Sequence, residues 1–310
     1  MVLMIILSTT PRTNQNLYDF KKIIEPTPYS FLQVNPKGQQ FDSNEMRKIL
    51  ADCEIAIIGD DEIDNNAIQD AINLKHIIKW GAGTDSIDFK ATSIKNITVT
   101  NTPGILGKYV AEYVLGIIIS TNRNLFEYNN TLKAKQLWNK NPGSSLYGKT
   151  VGLLGYGNIG KEIANLLSIF NCKIIFFDPY TQIDDNATKV DLNYLCTSSD
   201  ILIISAKLSS ETLNIIDKNV IDKLRENCLL INIARGPLLN EKDVFDAVNN
   251  KKLKYLFLDV FNTEPPNLDD YYINNNHINF SQHNASNSFD AIEEVNMKIL
   301  ELVKGLVLWT

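Results

Sequence analysis

The stretch KTVGLLGYGNIGKEIANLL, residues 149–167, decides how this chain is to be read. An apolar run, TVGLL, leads straight into Gly155-x-Gly157-x-x-Gly160, and a helical pattern with Ile163, Leu166 and Leu167 on one face follows. In a chain with fifteen glycines such a loop alone is weak; the strand before it and the helix after it give it meaning. Gly155 permits the tight turn, Gly157 lets the backbone approach a pyrophosphate, and Gly160 allows close helix–strand packing. The helix start then offers unpaired N–H groups to the phosphates. The next strand, KIIFFD, ends in Asp178, eighteen residues past Gly160. A carboxylate there accepts hydrogen bonds from the adenosine ribose and repels a 2′-phosphate, so the expected cofactor is NAD rather than NADP. S-adenosylmethionine enzymes share the glycine loop and remain the alternative at this point.

Outward from this loop, short continuous apolar runs alternate with helical patterns. They are VLMIIL, EIAIIG, HIIKWG and ITVTNT in the first hundred residues, then TVGLLGYG, CKIIFFD, ILIIS, CLLINIA, YLFLDVF and INFSQH. Continuous runs suit parallel strands covered on both faces, and the alternation predicts an α/β protein. Two sheets are expected, one within about residues 1–99 and one from Thr150 to about 284. A long helix is expected between them, from Leu106 to about Trp138. The last segment, DAIEEVNMKILELVKGLVLW, reads as an amphipathic helix that suits either domain.

Composition sets limits. At 310 residues, 44% hydrophobic and 21% charged, the chain suits a soluble globular protein of two domains. A net charge of −6 with scattered basic residues argues against nucleic acid or an anionic membrane as the main partner. MVLMIIL lacks a basic region before it and reads as a first strand, not a leader, and YVAEYVLGIIIS is too short to span a bilayer, so a cytoplasmic location is expected. Cys53, Cys172, Cys196 and Cys228 show no ligand spacing and read as buried reduced thiols. Three histidines, His76, His277 and His283, leave no His-rich metal site; His76, in LKHIIKW, reads as structural.

INIARGPL, residues 231–238, poses a question of its own. A strand ends on an arginine, in a chain with five arginines among thirty basic residues. Unpaired buried charge is costly, so Arg235 either reaches water or waits for a carboxylate from elsewhere. Glu264 follows the run LFLDVFNT, and His283 lies within SQHN. Parallel sheets bind ligands at the carboxyl ends of their strands, so these three residues are expected to converge near the cofactor. A guanidinium grips a carboxylate with two parallel hydrogen bonds. An imidazole can give and take a proton near neutral pH, and a carboxylate beside it holds it in place. Taken singly, each also suits an ordinary surface arginine or turn residue.

Seven segments together resemble the D-isomer-specific 2-hydroxyacid dehydrogenases, with a look nearest the phosphoglycerate dehydrogenase-like members. They are KWGAGTDSID (79–88), NTPGILGKYVAE (101–112), GKTVGLLGYGNIGKEIA (148–164), FFDPY (176–180), INIARGPLLNE (231–241), LDVFNTEPP (258–266) and SQHNAS (281–286). The resemblance implies an NAD-dependent oxidoreductase that interconverts a D-2-hydroxy acid and its 2-keto acid. It implies a carboxylate-binding arginine at Arg235, a supporting glutamate at Glu264 and a proton donor at His283. It implies cofactor contacts at Gly155, Gly157, Asn158, Ile159, Gly160, Asp178, Ile233, Ala234 and Asp259, the last against the nicotinamide. Its implied fold is a flavodoxin-like substrate-binding domain, residues 1–99 plus 285–310, with a Rossmann NAD domain, residues 100–284, inserted into it. The active site is expected in the cleft between them, and the helix from Leu106 is expected to form the arm of a homodimer.

The N–H groups of Gly81, Ala82 and Gly83 are expected to reach the substrate carboxylate, and Lys79 and Lys108 to line the substrate side. Lys79 falls where phosphoglycerate dehydrogenases place a base against the substrate phosphate, which implies a phosphorylated substrate such as 3-phosphoglycerate. No regulatory domain is expected after residue 310. Glyoxylate or hydroxypyruvate reduction is the rival activity, and a non-catalytic NAD-sensing module is the rival class. The chain departs from the family at Asn158, usually arginine, at Ser205 and Lys207, usually His and Pro, and in SQHN, usually Thr-Pro-His.

Overall fold

The computed structural model describes residues 4–134, 138, 140, 142–182, 184 and 186–308. Its twelve strands are β1 (Met4–Ser8), β2 (Tyr29–Gln33), β3 (Cys53–Ile58), β4 (His76–Lys79), β5 (Thr98–Asn101), β6 (Thr150–Leu154), β7 (Lys173–Phe177), β8 (Thr188–Lys189), β9 (Ile201–Ile204), β10 (Cys228–Asn232), β11 (Leu253–Leu258) and β12 (Ile278–Phe280). All pair in parallel, in a five-stranded sheet ordered β2-β1-β3-β4-β5 and a seven-stranded sheet ordered β12-β11-β10-β9-β6-β7-β8. The first is the flavodoxin-like order and the second the dinucleotide-binding order, so the α/β class and the doubly wound sheets expected from the sequence are present. Two of the strands, β2 and β8, were not expected. YSFLQ is half-buried at an edge and β8 is two exposed residues, so neither carries the continuous apolar run that marks a central strand.

The chain divides into two compact units, Met1–Leu106 with Asn287–Thr310, and Gly107–Ser286. In the first, Ile6, Ile55, Ile57 and Ile78 of the sheet pack with Phe20, Trp80 and Val295, Ile299 and Val303 of the C-terminal helix Phe289–Val307. That helix therefore belongs to the first unit. In the second, Val151, Leu153, Ile203 and Ile231 form one side of the sheet core, together with Val110, Val114 and Ile118 of the helix Gly107–Asn122 and Ile163 of the helix Asn158–Ser168. Helix starts are fixed by short polar side chains: Asp42 with Glu45 in a capping box, then Asp88, Asp191, Asp217, Asn240 and Ser288.

The single long helix expected to Trp138 is instead two helices, Gly107–Asn122 and Leu125–Lys133, and residues 135–137 lie outside the described ones. The break is at Asn124, whose φ of 54° is left-handed. Asparagine tolerates that region better than most residues, and the Tyr255 hydroxyl donates to its Oδ1 at 2.8 Å. Cys53, Cys196 and Cys228 are buried and Cys172 half-buried, all as free thiols. Burial pushes Cys53 and Cys228 up to about 12 and Cys196 up to about 11, so none of these three ionises near neutral pH. Among the described residues no helix is long and apolar enough to cross a membrane.

Gly236 shows how tightly the ends of β10 and β11 are joined. A Cβ there would lie 2.0 Å from the backbone carbon of Phe261, a clash that no side-chain rotation relieves. Gly236→Ala is therefore expected to destabilise the second unit by about 2–3 kcal/mol, the upper part of the overpacking range. Urea unfolding of the full chain followed by circular dichroism checks this; an unchanged midpoint contradicts it.

Candidate active site

The carboxyl ends of β10, β11 and β12, three neighbours in the second sheet, carry Arg235, Glu264 and His283 in the loops just beyond. The loops are tied to each other in turn. Asn232, fully buried at the end of β10, accepts from Ala234 N at 3.1 Å and donates to Arg235 O at 2.9 Å, which turns the chain out of the strand. The Arg235 guanidinium, half-buried, donates from Nη1 to Ala234 O at 2.7 Å. Asp259 N donates to Asn232 O at 3.0 Å, and His283 N donates to Asp259 O at 2.7 Å. Glu264 accepts from Phe261 N at 3.0 Å with Oε1 and lies 2.8 Å from His283 Nδ1 with Oε2. The imidazole and the carboxyl thus meet as expected, both about one-fifth exposed.

Nδ1 faces a carboxylate, so it carries the ring hydrogen and donates it. Nε2 is then the ring nitrogen that does not face Glu264. A glutamate in contact with the imidazole also stabilises its positive form.

Asp259, at the end of β11, holds the neighbouring loop. It is 0% exposed, and its carboxylate binds the loop that carries His283. Oδ1 accepts from Ser281 Oγ and from Asn284 N at 2.7 Å, and Oδ2 accepts from Ala285 N at 3.0 Å. The Tyr113 hydroxyl is hydrogen-bonded to Ser281 in turn; burial raises its pKa, an effect the Ser281 bond opposes and the Asp259 charge reinforces. Ser281, Tyr113 and Asn232 were missed in the sequence. Only Asn232 carried a signal, as an amide inside an otherwise apolar strand end.

At the other side of the sheet's switch point, between β6 and β9, lies the glycine loop. Gly155 has φ +94° and stands so close to Ala206 that a Cβ would lie 2.5 Å from its N and Cα. A Cβ on Gly160 would lie 2.7 Å from Gly155 O. Gly157 is different, because a Cβ there meets no protein atom within 4 Å. The fold does not need that glycine for space, but a ligand lying against the backbone would. The first intrahelical bond is Lys161 N to Gly157 O at 3.0 Å, so Asn158, Ile159 and Gly160 begin the helix with N–H groups directed outward.

Tyr156, between the glycines, points inward; its ring stacks on Phe176 at 4.0 Å and its hydroxyl meets Asp184 at 2.9 Å. Burial and the Asp184 carboxylate push that phenol well above its usual range. Asp178 stands at the end of β7 as expected. It accepts from Tyr156 N with Oδ2 at 2.8 Å and from Tyr180 N and Thr181 N with Oδ1 at 2.8 and 3.0 Å. Two carboxylate oxygens have about four acceptor sites, so one is left for a hydroxyl ligand. Ile233 is buried and Ala234 half-buried at the end of β10. Ser205, one of the departures, donates from Oγ to Gly155 O at 2.9 Å and so braces the loop. Lys207 is exposed. An open backbone at Gly157, helix N–H groups beyond it and a carboxylate on the next strand together fit a dinucleotide.

The remaining expected residues divide between the units. Lys108, in the second unit, has its ammonium 4.9 Å from the Tyr109 ring centroid. Lys79, in the first, has its ammonium engaged within that unit. It is 3% exposed, and Nζ lies 3.0 Å from both Asp60 Oδ1 and Trp80 O. Gly81 N is engaged too, donating to Thr102 Oγ1 at 2.9 Å. Ala82 is exposed and Gly83 half-buried, and their N–H groups have no partner among the described residues. His76 begins β4 half-buried, and burial lowers its pKa.

Residues 115–285 match the family described as D-isomer specific 2-hydroxyacid dehydrogenase, NAD binding domain. A hydroxypyruvate reductase of Thermotoga maritima is 32% identical over 238 residues, 76% of this chain and 78% of that protein. A D-3-phosphoglycerate dehydrogenase of Methanocaldococcus jannaschii is 28% identical over 85% of this chain, which spans only 51% of its length. Among solved structures, the NAD-dependent formate dehydrogenase of Staphylococcus aureus in complex with NAD superposes with a TM-score of 0.84 at 25% identity, over 97% of this chain and 95% of that one. With more than half of its length matched to that model, and with the glycine loop and the sheet order that such a nucleotide domain requires, the chain belongs to the D-isomer specific 2-hydroxyacid dehydrogenases, NAD-dependent oxidoreductases.

Proposed function

We propose that the chain reduces a 2-keto acid to its D-2-hydroxy acid with NADH, and that Arg235, Glu264 and His283 carry the chemistry. The contact between Glu264 Oε2 and His283 Nδ1 at 2.8 Å carries this reading, because it orients one imidazole for one proton at Nε2. The nicotinamide supplies the hydride when bound. Arg235 takes the keto acid's carboxylate through two parallel hydrogen bonds and so fixes the carbonyl carbon. His283 gives the Nε2 proton to the carbonyl oxygen as charge develops there, and in the reverse direction accepts it from the hydroxyl. Glu264 holds the ring and stabilises its charged form. Asp259 and Ser281 hold the loop on which the ring sits.

The cofactor would rest on the helix start at Asn158–Gly160, with its adenosine ribose on Asp178. The carboxylate there would repel a 2′-phosphate, which favours NAD over NADP. Lys79, closed on Asp60, lends no support to a phosphorylated substrate, so hydroxypyruvate and glyoxylate are the first substrates to try. The reductase likeness to the Thermotoga protein points the same way. The apolar side chains Leu125, Phe126 and Leu132, exposed on the helix Leu125–Lys133, support a homodimer.

Each part of this reading has its own measurement. Arg235→Ala should remove reduction of every keto acid while NADH binding, followed by fluorescence, stays near that of the unaltered chain. His283→Ala should lower turnover by about two to four orders of magnitude, the span of a general acid; an unchanged rate excludes it. Gly157→Ser keeps a capping residue and its Cβ meets no protein atom within 4 Å, so stability should hold within about 0.5 kcal/mol. Its NADH affinity should nevertheless fall about tenfold or more, a loss of 1.4 kcal/mol or greater. Sedimentation should report a dimer that Leu125→Glu with Leu132→Glu converts to a monomer.

A further inference from the structure

Tyr156, between the first two glycines of the loop, is the largest of the fully buried side chains described. Its ring lies on Phe176 of β7 with the two planes 15° apart. A phenylalanine would fill that space as well, so packing alone does not ask for a hydroxyl. A buried phenol needs a hydrogen-bond partner, and this one has a carboxylate: it donates to Asp184 Oδ1 at 2.9 Å. Asp184 Oδ1 also accepts from Asn186 N at 3.0 Å.

The backbone of Tyr156 reaches the same stretch of chain at two more points. Its N donates to Asp178 Oδ2 at 2.8 Å, and its O accepts from Thr181 Oγ1 at 3.2 Å. Asp178, Thr181 and Asp184 all lie between β7 and β8, and β8 is only two exposed residues at the sheet edge. A connection that ends so weakly keeps little shape by itself. One residue of the glycine loop therefore fixes it at three places.

The charges there give this arrangement a use. Lys189 Nζ donates to Thr181 O at 2.6 Å, and Lys161 Nζ lies 3.9 Å from Asp184 Oδ2. Either ammonium could meet a 2′-phosphate if Asp178 were free to turn aside. Asp178 is not free, because it accepts from the N–H groups of Tyr156, Tyr180 and Thr181. The last two belong to the stretch that Tyr156 anchors through Asp184.

We propose that Tyr156 is a positioning residue: its hydroxyl, held on Asp184, keeps Asp178 fixed towards the ribose and so sets the choice of NADH over NADPH. This rests on Asp178 as the ribose acceptor proposed above.

Fluorescence titration of the full chain with NADH and with NADPH, in the absence of any keto acid, tests it. Tyr156→Phe keeps the ring and removes only the hydroxyl. It should weaken NADH about fivefold, as befits a lost bond to a charged group, and NADPH no more than twofold, so that the preference narrows. Asp184→Ala, which leaves the buried ring in place, should match it. Asp184→Asn, whose amide oxygen still accepts from the phenol, should lie between. Equal losses for both dinucleotides, or none for either, overturn the proposal and leave Tyr156 a support of the glycine loop only. Asp178→Ala examines the reading beneath. It should abolish the preference, and Tyr156→Phe added to it should not change the ratio of the two affinities further. A preference that survives Asp178→Ala overturns the ribose acceptor, and Tyr156→Phe alone then still decides whether the hydroxyl sets the choice.

Discussion

The carboxylate of Asp259 is the constraint on which the loop that carries His283 depends. A fully buried charge is tolerated only when hydrogen bonds replace its lost water, and this one receives them from Ser281, Asn284 and Ala285. The satisfaction is mutual: the carboxylate is stable because the loop folds around it, and the loop keeps its shape because the carboxylate is there. His283 sits in the middle of that loop, and its own N–H reaches back to the Asp259 carbonyl. Asn232 extends the same network to Arg235, so the ends of three neighbouring strands are held by two buried polar residues. A side chain on such a support has little freedom left to lose, which is what the proton donor proposed at His283 requires.

The nucleotide half is supported by close backbone approach instead. Gly155 and Gly160 are glycines because other parts of the chain occupy the space, and Gly157 is one although nothing does. Tyr156 anchors the loop inward on Phe176 while Ser205 braces the Gly155 carbonyl. The family's usual histidine is absent at Ser205, yet the hydroxyl there has a task of its own in this chain.

Local chemistry was legible in the sequence and long-range pairing was not. The glycine loop, Asp178 and the meeting of Glu264 with His283 follow from residues whose neighbours in sequence set their place at a strand end. The helix break at Asn124 escaped notice because its cause is a hydroxyl from Tyr255, far along the chain. Lys79 was expected on the substrate side from the resemblance alone, and its contact with Asp60, on the neighbouring strand's loop, had no mark in the sequence. Ser281 with Tyr113, and Arg12 with Trp80 and Asn296, join segments that no spacing rule connects. Edge strands β2 and β8 lack burial on both faces, and with it the apolar run that would have marked them.

His283 has a φ of 52°. In that left-handed region a side chain crowds its own backbone, at a cost of about 1–2 kcal/mol that glycine escapes. Chain geometry at this turn would be more comfortable with no side chain at all, yet an imidazole is there. On the role proposed for His283, a reactive group takes precedence over an easy bend, and the protein is less robust at this residue than it would be if it had only to fold.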